Sequence, residues 1–168
     1  MIGDRWGVRD AEVEAAYGCD GLVTNPGLRA WRGVTVHTSA DALWPWVCQI
    51  RAAPYSYDWV DNLGRRSPQV LLGLPEPVVG ESFTRTAGHP IGTVLAVTPG
   101  RELTGRILGA VMTYRLDPGS EAGAASTRLV LKIVMKGHPV VAGAVSVGDL
   151  VMARRQLLTF KRLAEQHG

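Results

Sequence analysis

The clearest hydrophobic pattern in the chain is its last one, in residues 140–166, where apolar side chains recur every three or four positions. This spacing predicts a long C-terminal helix. At about 100° per residue, its apolar side carries Val147, Leu150, Val151, Leu157 and Leu158. Arg154 projects from the same side. Because a guanidinium cannot be buried dry and unpaired, Arg154 is predicted to meet either a carboxylate, such as Asp58 or Asp61, or a wet cavity that holds a ligand.

From residue 80 onwards, apolar and polar residues alternate one by one between clusters of Gly, Pro, Asp and Ser. This pattern predicts an antiparallel meander. The predicted strands are residues 81–86, 93–97, 102–108, 111–116 and 128–135. In the last of them Leu129, Leu131, Ile133 and Met135 face one way, which predicts a sheet with one buried face. The C-terminal helix is the natural cover for that face, so these four residues should meet Val147, Val151 and Leu158.

A strand and two helices are predicted before the meander. Residues 28–37 alternate as a strand, and Thr38 or Ser39 can cap a helix over residues 40–51. Pro45 lies inside that helix and is tolerated only if it is near the first turn. The second helix is short and belongs to an aromatic segment, residues 54–68.

The first 27 residues are predicted to form an arm outside the main domain, which spans residues 28–168. In the arm, Asp10 is a plausible N-cap for a helix that runs through Tyr17 and stops at Gly18. Trp6 is interpreted as an anchor that packs the arm onto the body. The arm could also cover one mouth of a cavity.

Residues 54–68, PYSYDWVDNLGRRSP, have the most unusual composition in the chain. Ser56 can cap a short helix that ends at Gly64, with Asp58 and Asp61 on one face and two arginines after its C-terminus. One interpretation is an intramolecular network of charges. The other is that the amphipathic aromatic side chains surround a pocket entrance. The candidate ligand-binding residues are Tyr55, Tyr57, Asp58, Trp59 and Arg154.

The order of these elements, together with LWPWVCQI, PYSYDWVDNLGRRSP and VGDLVMARRQLLTFKRLAE, resembles the START-like superfamily, also called SRPBCC. This superfamily includes polyketide cyclases, plant pathogenesis-related allergens and lipid-transfer domains, and the last two stretches also resemble a bacterial subgroup. The resemblance covers residues 28–166. It implies an α+β helix-grip fold, in which a curved antiparallel sheet wraps a long C-terminal helix, with two short helices after the first strand. A cavity for an apolar or amphipathic ligand is expected between sheet and helix.

Composition and charge exclude several other classes. The chain has 168 residues, of which 46% are hydrophobic and 20% charged, as in an ordinary globular domain. Its net charge is only +3 and its basic residues are scattered, which disfavours nucleic acid as a partner. Cys19 and Cys48 are too far apart to predict a disulfide framework or a metal site. Without a signal-like N-terminus or an apolar run of roughly 18 residues, a cytoplasmic protein with no integral membrane segment is expected.

Candidate catalytic chemistry is sparse. None of the four histidines lies in a local signature of a nucleophilic triad, and no glycine-rich stretch resembles a phosphate loop. No cofactor is expected. The leading hypothesis is binding or transport of a small hydrophobic or amphipathic molecule. The alternatives are a cyclase, aromatase or dehydratase of polyketide-like substrates that uses Tyr57, Asp58 and Arg154, and an interaction module with a filled core. The sequence does not indicate an oligomeric state.

Overall fold

The computed structural model describes residues 4–121, 124–137 and 139–168, with side chains described outside 120, 121, 124 and 139–150. Its strands are β1 (Arg5–Trp6), β2 (Leu28–Val36), β3 (Thr84–Thr86), β4 (His89–Ile91), β5 (Thr93–Thr98), β6 (Glu102–Ile107), β7 (Ala110–Glu121) and β8 (Ala124–Met135). Its helices are α1 (Asp10–Glu14), α2 (Ala40–Cys48), α3 (Asp58–Asp61) and α4 (Pro139–His167). A short 3₁₀ turn, Gln49–Arg51, follows α2.

The main sheet has six strands in the order β1-β2-β8-β7-β6-β5, and β3 pairs with β4 in a separate hairpin. All neighbours in the main sheet are antiparallel except β1, which lies parallel to β2. The alternating pattern correctly predicted β2, β5, β6, β7 and β8. It missed β1 and β4, which are only two and three residues long. The predicted α+β helix-grip fold is confirmed.

Helix α4 covers one face of the sheet, as predicted, but with a different side from the one predicted. Among the residues of α4 whose side chains are described, the buried ones are Ala153, Gln156, Leu157, Phe160, Leu163 and Ala164. They pack against Leu129, Leu131 and Ile133 of β8 in the main core. Val151 and Leu158 are instead 48% and 36% exposed, so the predicted contacts of these two residues are wrong. The prediction also placed the side chains of Val147 and Leu150 on the buried side, and these two side chains are outside the described part of the chain.

Apolar residues lie on both sides of the described part of α4, and this explains the error in phase. Phe160, Leu163 and Ala164 continue the buried stripe from Ala153 and Leu157, whereas Val151 and Leu158 form a second row toward solvent. The larger aromatic area of Phe160 decides which row faces the sheet, because burying it contributes more hydrophobic free energy than burying a valine.

The sheet face opposite α4 is also buried, contrary to the prediction of a single buried face. The N-terminal arm covers it, and Tyr17, Cys19, Trp31, Val130 and Val134 form a second hydrophobic cluster there. The structure therefore places the arm against the outside of the sheet. Helix α1 is shorter than predicted, ends at Glu14 and has Arg9 as its N-cap.

Two basic residues of β8 fasten the arm to this face. The Lys132 ammonium forms an ion pair with Asp20 and lies 5.0 Å and 5.2 Å from the ring centres of Tyr17 and Trp31. The Arg128 guanidinium donates to both carboxylate oxygens of Glu12, at 2.6 and 2.8 Å. Arg128 and Lys132 on β8 would be solvated if this face of the sheet were exposed. Here they hold the arm against the sheet instead.

Helix α2 begins and continues much as predicted. Ser39 is its N-cap, with the side-chain oxygen accepting from Ala42 N at 3.2 Å. Pro45 lies in the helix interior rather than in its first turn, and the helix nevertheless continues to Cys48. Its buried Leu43, Trp46 and Val47 join the main core. None of the helices in the described ranges is long and apolar enough to cross a membrane.

Candidate functional site

A cavity of about 120 Å³ lies between α4 and the covered face of the sheet. Most of its walls are apolar. The residues that line it are Ile50, Pro54, Ser56, Asp61, Phe83, Thr84, Ile107, Met112, Tyr114, Leu131, Ile133, Met152, Ala153 and Gln156. Strands β7 and β8 form the floor, because Tyr114 pairs with Leu131 and Met112 with Ile133 in register, so all four side chains project from the same face.

Phe83 forms part of the cavity wall, and its position depends on Gly105 in β6. A Cβ atom on Gly105 would lie 2.0, 2.3 and 2.5 Å from three carbons of the Phe83 ring, which no side chain can tolerate without movement. Because Gly105 has no side chain, the Phe83 ring can lie directly over the strand. There it is 1% exposed, and its centre is 6.4 Å from that of Tyr114.

Three of the polar side chains that line the cavity bond to the protein itself. The Tyr114 hydroxyl donates to Gln156 Oε1, and Gln156 Nε2 donates to the carbonyl oxygen of Pro54. Thr84 Oγ1 donates to the Ile50 carbonyl at 2.7 Å. These bonds tie α4, β7 and the segment after α2 together around the cavity, so the three groups have a structural role.

The other two polar side chains, Ser56 and Asp61, are different. Ser56 Oγ and Asp61 Oδ1 are fully buried and have no hydrogen-bond partner elsewhere among the described residues. Burial raises the pKa of Asp61 above its ordinary value, and the nearby Ser56 hydroxyl lowers it by less than burial raises it. Asp58 contributes a further increase in the pKa of Asp61 through charge repulsion. Ser56 and Asp61 interact with each other, and no other described group satisfies Ser56 Oγ or Asp61 Oδ1. This buried polar pair in an apolar cavity is the best candidate for contact with a ligand.

The backbone at Tyr55 helps to direct Ser56 toward the cavity. Tyr55 has φ of 58°, a left-handed conformation that costs a bulky residue roughly 1–3 kcal/mol. Its surroundings hold it there: its ring is buried against Phe160, with centres 5.3 Å apart, and its hydroxyl accepts from Gln49 Nε2. Tyr55 was predicted to border a pocket entrance, but the structure places it in the core, 1% exposed.

Asp58 closes the loop that carries α3. Its carboxylate accepts from the backbone N–H of Ser67 at 2.8 Å and from the Ser67 hydroxyl at 2.6 Å. Asn62 ties the same loop to residue 87, because its side-chain oxygen accepts a hydrogen bond from Ala87 N at 2.8 Å. Asp58 thus holds the segment in place, while Asp61, three residues later, lines the cavity.

Tyr57 and Trp59 do not line the cavity in the described part of the chain. Tyr57 is half-buried, with the guanidinium of Arg155 5.8 Å from its ring centre. Trp59 is 75% exposed on α3. The predicted aromatic entrance is therefore dispersed among the core, a cation–π contact and the surface.

Arg154 lies on the exposed side of α4, not on its buried side. Its guanidinium carbon is 4.8 Å from the centre of the Trp6 ring, so it contacts the N-terminal arm. The predicted phase of Arg154 is wrong for the same reason as that of Val151 and Leu158. The polar residue on the buried side of the helix is Gln156, 8% exposed.

Some of the residues that line the cavity were not predicted, although the sequence pattern indicates them. Gln156 is a polar residue with apolar neighbours at Ala153, Leu157 and Phe160 in the correct helical phase. Met112 and Tyr114 alternate in a strand that was predicted, and both face the cavity. That Asp61 of α3 lines the same cavity depends on the loop around Tyr55, and no periodic pattern encodes that loop.

A second depression, of about 480 Å³, is lined by Arg51, Ala52, Leu74, Glu81, Ser82 and Arg85. Its main charged groups are already engaged, because Arg51 forms a 2.8 Å ion pair with Glu81 and also donates to the carbonyl oxygen of Pro75. It lies outside the space between sheet and helix. Among the described residues, no group of three or more His, Cys, Asp or Glu side chains could hold a metal ion.

Comparison with solved structures shows the fold. A crystal structure of a protein from Nitrosomonas europaea matches 84% of this chain and 97% of its own length, with 13% identity and a TM-score of 0.52. The solution structure of a polyketide-cyclase-like protein from Corynebacterium glutamicum matches 86% of this chain and 95% of its own length, with 13% identity and a TM-score of 0.50. No family model and no curated protein matches the sequence. The comparison shows the fold alone, and this chain has a polyketide-cyclase-like fold.

Proposed function

We propose that this polyketide-cyclase-like fold binds a small, mainly apolar molecule in the cavity between the sheet and α4. The observation that carries the proposal is the cavity itself: apolar walls from three strands and a helix, with two polar atoms that no other described protein group satisfies. Ligand sites commonly combine an apolar lining with a few polar groups that orient the ligand.

The size of the cavity limits the ligand. At about 120 Å³, it is close to the roughly 150 Å³ of an engineered apolar cavity that takes up benzene. A molecule of about one ring fits this space without rearrangement of the walls. A long-chain lipid would require α4 or the loop around α3 to move.

Binding is better supported than turnover. The residues that sequence reasoning assigned to a cyclase or dehydratase, Tyr57, Asp58 and Arg154, are engaged with Arg155, Ser67 and Trp6 respectively. Chemistry in this cavity would have to use Asp61. The Tyr114 hydroxyl is already hydrogen-bonded to Gln156.

The proposal can be tested by filling the cavity. Ala153 on α4 lines it and is 7% exposed, so Ala153→Leu places extra carbon atoms in the ligand space. Toluene and indole binding, measured by saturation-transfer NMR, should be lost in this variant. Val151→Leu, on the exposed side of the same helix, is the matched control and should bind like the wild type.

A second measurement uses the protein as purified. Mass spectrometry of small molecules extracted from it should identify a one-ring compound that is absent from Ala153→Leu. Equal binding of toluene and indole by wild type and Ala153→Leu would contradict the proposal. So would a wild-type protein that binds neither probe and yields no extracted compound, because the core would then be filled by the protein alone.

A further inference from the structure

The hydrogen bonds around the cavity separate polar groups that belong to the fold from polar groups that can meet a ligand. Thr84, Tyr114 and Gln156 are each bonded to another protein group. Ser56 Oγ and Asp61 Oδ1 are buried near each other and are not hydrogen-bonded to any other described part of the fold. A buried polar atom left unpaired costs free energy, because it has lost its hydrogen bonds to water. A ligand that pairs with these two atoms recovers that free energy.

The kind of group they need follows from their chemistry. A carboxylate oxygen accepts hydrogen bonds and, when ionised, does not donate. The serine hydroxyl can both accept and donate. The side chains that act on Asp61 are Ser56 and Asp58, and neither is a cation. The cavity therefore favours a hydrogen-bond donor and disfavours an anion, which would face the Asp61 carboxylate.

We propose that the ligand of this cavity is a small apolar molecule with one hydrogen-bond donor, a hydroxyl or an amine, which binds Asp61 Oδ1 and Ser56 Oγ. This rests on the proposed function, since it assigns a polarity to the ligand of the same cavity. It also differs from one of the two sequence-based interpretations of Arg154, in which that residue would point into a wet cavity and meet the ligand.

The two residues are held firmly enough to select a ligand. Asp61 is the last residue of α3, whose loop is closed by the two hydrogen bonds from Ser67 to Asp58. The next residue, Asn62, is 5% exposed and bonded on both sides, donating to the carbonyl oxygen of Arg65 and accepting from Ala87 N. Ser56 follows the constrained Tyr55 directly. A site with fixed polar groups loses little conformational entropy when the ligand binds.

The test compares ligands of matched shape. Toluene and phenol have the same number of non-hydrogen atoms and differ in one donor, while benzylamine and benzoate carry opposite charges. Dissociation constants are measured by NMR titration for wild type, Asp61→Leu, Asp61→Asn and Ser56→Ala. Asp41→Leu, which removes an exposed carboxylate on α2, is the control. Melting curves establish that each variant folds.

Asp61→Leu should weaken phenol binding roughly 10- to 100-fold, the range expected for a hydrogen bond to a charged group. Toluene binding should change by no more than about twofold, because toluene has no donor. Asp61→Asn keeps an acceptor oxygen and should weaken benzylamine more than phenol. Ser56→Ala should weaken phenol in the same direction, and Asp41→Leu should have no effect.

Three results would overturn the inference, and they differ in what they say of the proposed function. If Asp61→Leu and Ser56→Ala leave the ratio of phenol to toluene affinity unchanged, the cavity binds ligands without regard to their polarity. The proposed function then stands and this inference fails. If wild type binds none of the four ligands, both fail together. Tighter binding of benzoate than of benzylamine by wild type would also overturn the inference.

Discussion

Replacement of Gly105 by alanine is the sharpest test of how the cavity wall is built. The new methyl group would lie 2.0 to 2.5 Å from three carbons of the Phe83 ring, far inside van der Waals contact. Because Phe83 is 1% exposed and packed in the main core, its ring cannot turn into solvent without losing that packing. The substitution should therefore displace the ring or the strand.

The magnitude follows from three contributions. Overpacking a well-packed core costs about 1–3 kcal/mol, and complete expulsion of the ring approaches the roughly 3–5 kcal/mol of a Phe→Ala change. Alanine is intrinsically better than glycine within a strand by about 0.5–1 kcal/mol, which offsets part of this. We expect Gly105→Ala to lower the free energy of unfolding by about 1–3 kcal/mol.

Urea unfolding followed by circular dichroism measures this change. Gly137→Ala is the control, since a Cβ there has no atom within 4 Å, and its free energy of unfolding should stay within about 1 kcal/mol of wild type. Phe83→Leu should cost less in the Gly105→Ala background than alone, because the two sites share one space. Equal stability of Gly105→Ala and Gly137→Ala would refute the reasoning.

Four further predictions concern single side chains. Burial raises the pKa of Asp61 above 3.8, so the folded protein binds this proton more tightly than the unfolded chain and loses stability as pH rises from 3.8 through the folded pKa. Urea unfolding measured across this pH range should show Asp61→Asn becoming more stable relative to wild type and the difference then levelling off. A difference that does not change with pH would contradict this. Lys132→Met removes the ion pair and both ring contacts and should cost about 1–3 kcal/mol while speeding proteolysis of the arm; an unchanged cleavage rate would count against it. Leu131→Asp buries an unpaired charge and should abolish cooperative unfolding, which a melting curve like that of wild type would disprove. Arg154→Met should change the free energy of unfolding by less than about 1 kcal/mol, because Arg154 is exposed over Trp6; a larger loss would show that it is structurally essential.

Periodicity predicted the longer elements of this fold well, because each of them is long enough to repeat its pattern, whereas β1 and β4 are too short. Residues 128–135 alternate through four full periods, and the register of β8 with β2 and β7 follows that alternation. The phase of α4 was harder. Two rows of apolar residues, one with Val151 and Leu158 and the other with Leu157 and Phe160, could each have been the buried side of the helix. Contacts with the sheet determine which row is buried, and the periodicity of the helix sequence carries no information about those contacts.

The candidate site could be predicted only in part. The segment around α3 was identified from its composition, and Asp61 was noted, but as a partner for Arg154. Which of its carboxylates faces the cavity depends on the left-handed backbone of Tyr55 and on the bonds between Asp58 and Ser67. These are interactions between residues up to twelve positions apart in irregular chain, where neither a period of two nor one of 3.6 operates.

The pairing of the first long strand with the last has a consequence for how the chain reaches this structure. Leu28 of β2 lies opposite Met135 of β8, about 100 residues later, and α4, which follows β8, supplies Leu157 and Phe160 to the core. Such distant contacts must overcome the entropy of closing a long loop before they stabilise anything. During synthesis, the apolar face of β2 stays uncovered until β8 and α4 have left the ribosome, and partly made chains are prone to aggregate in that interval. The folding rate should accordingly fall in the millisecond-to-second range typical of folds rich in non-local contacts.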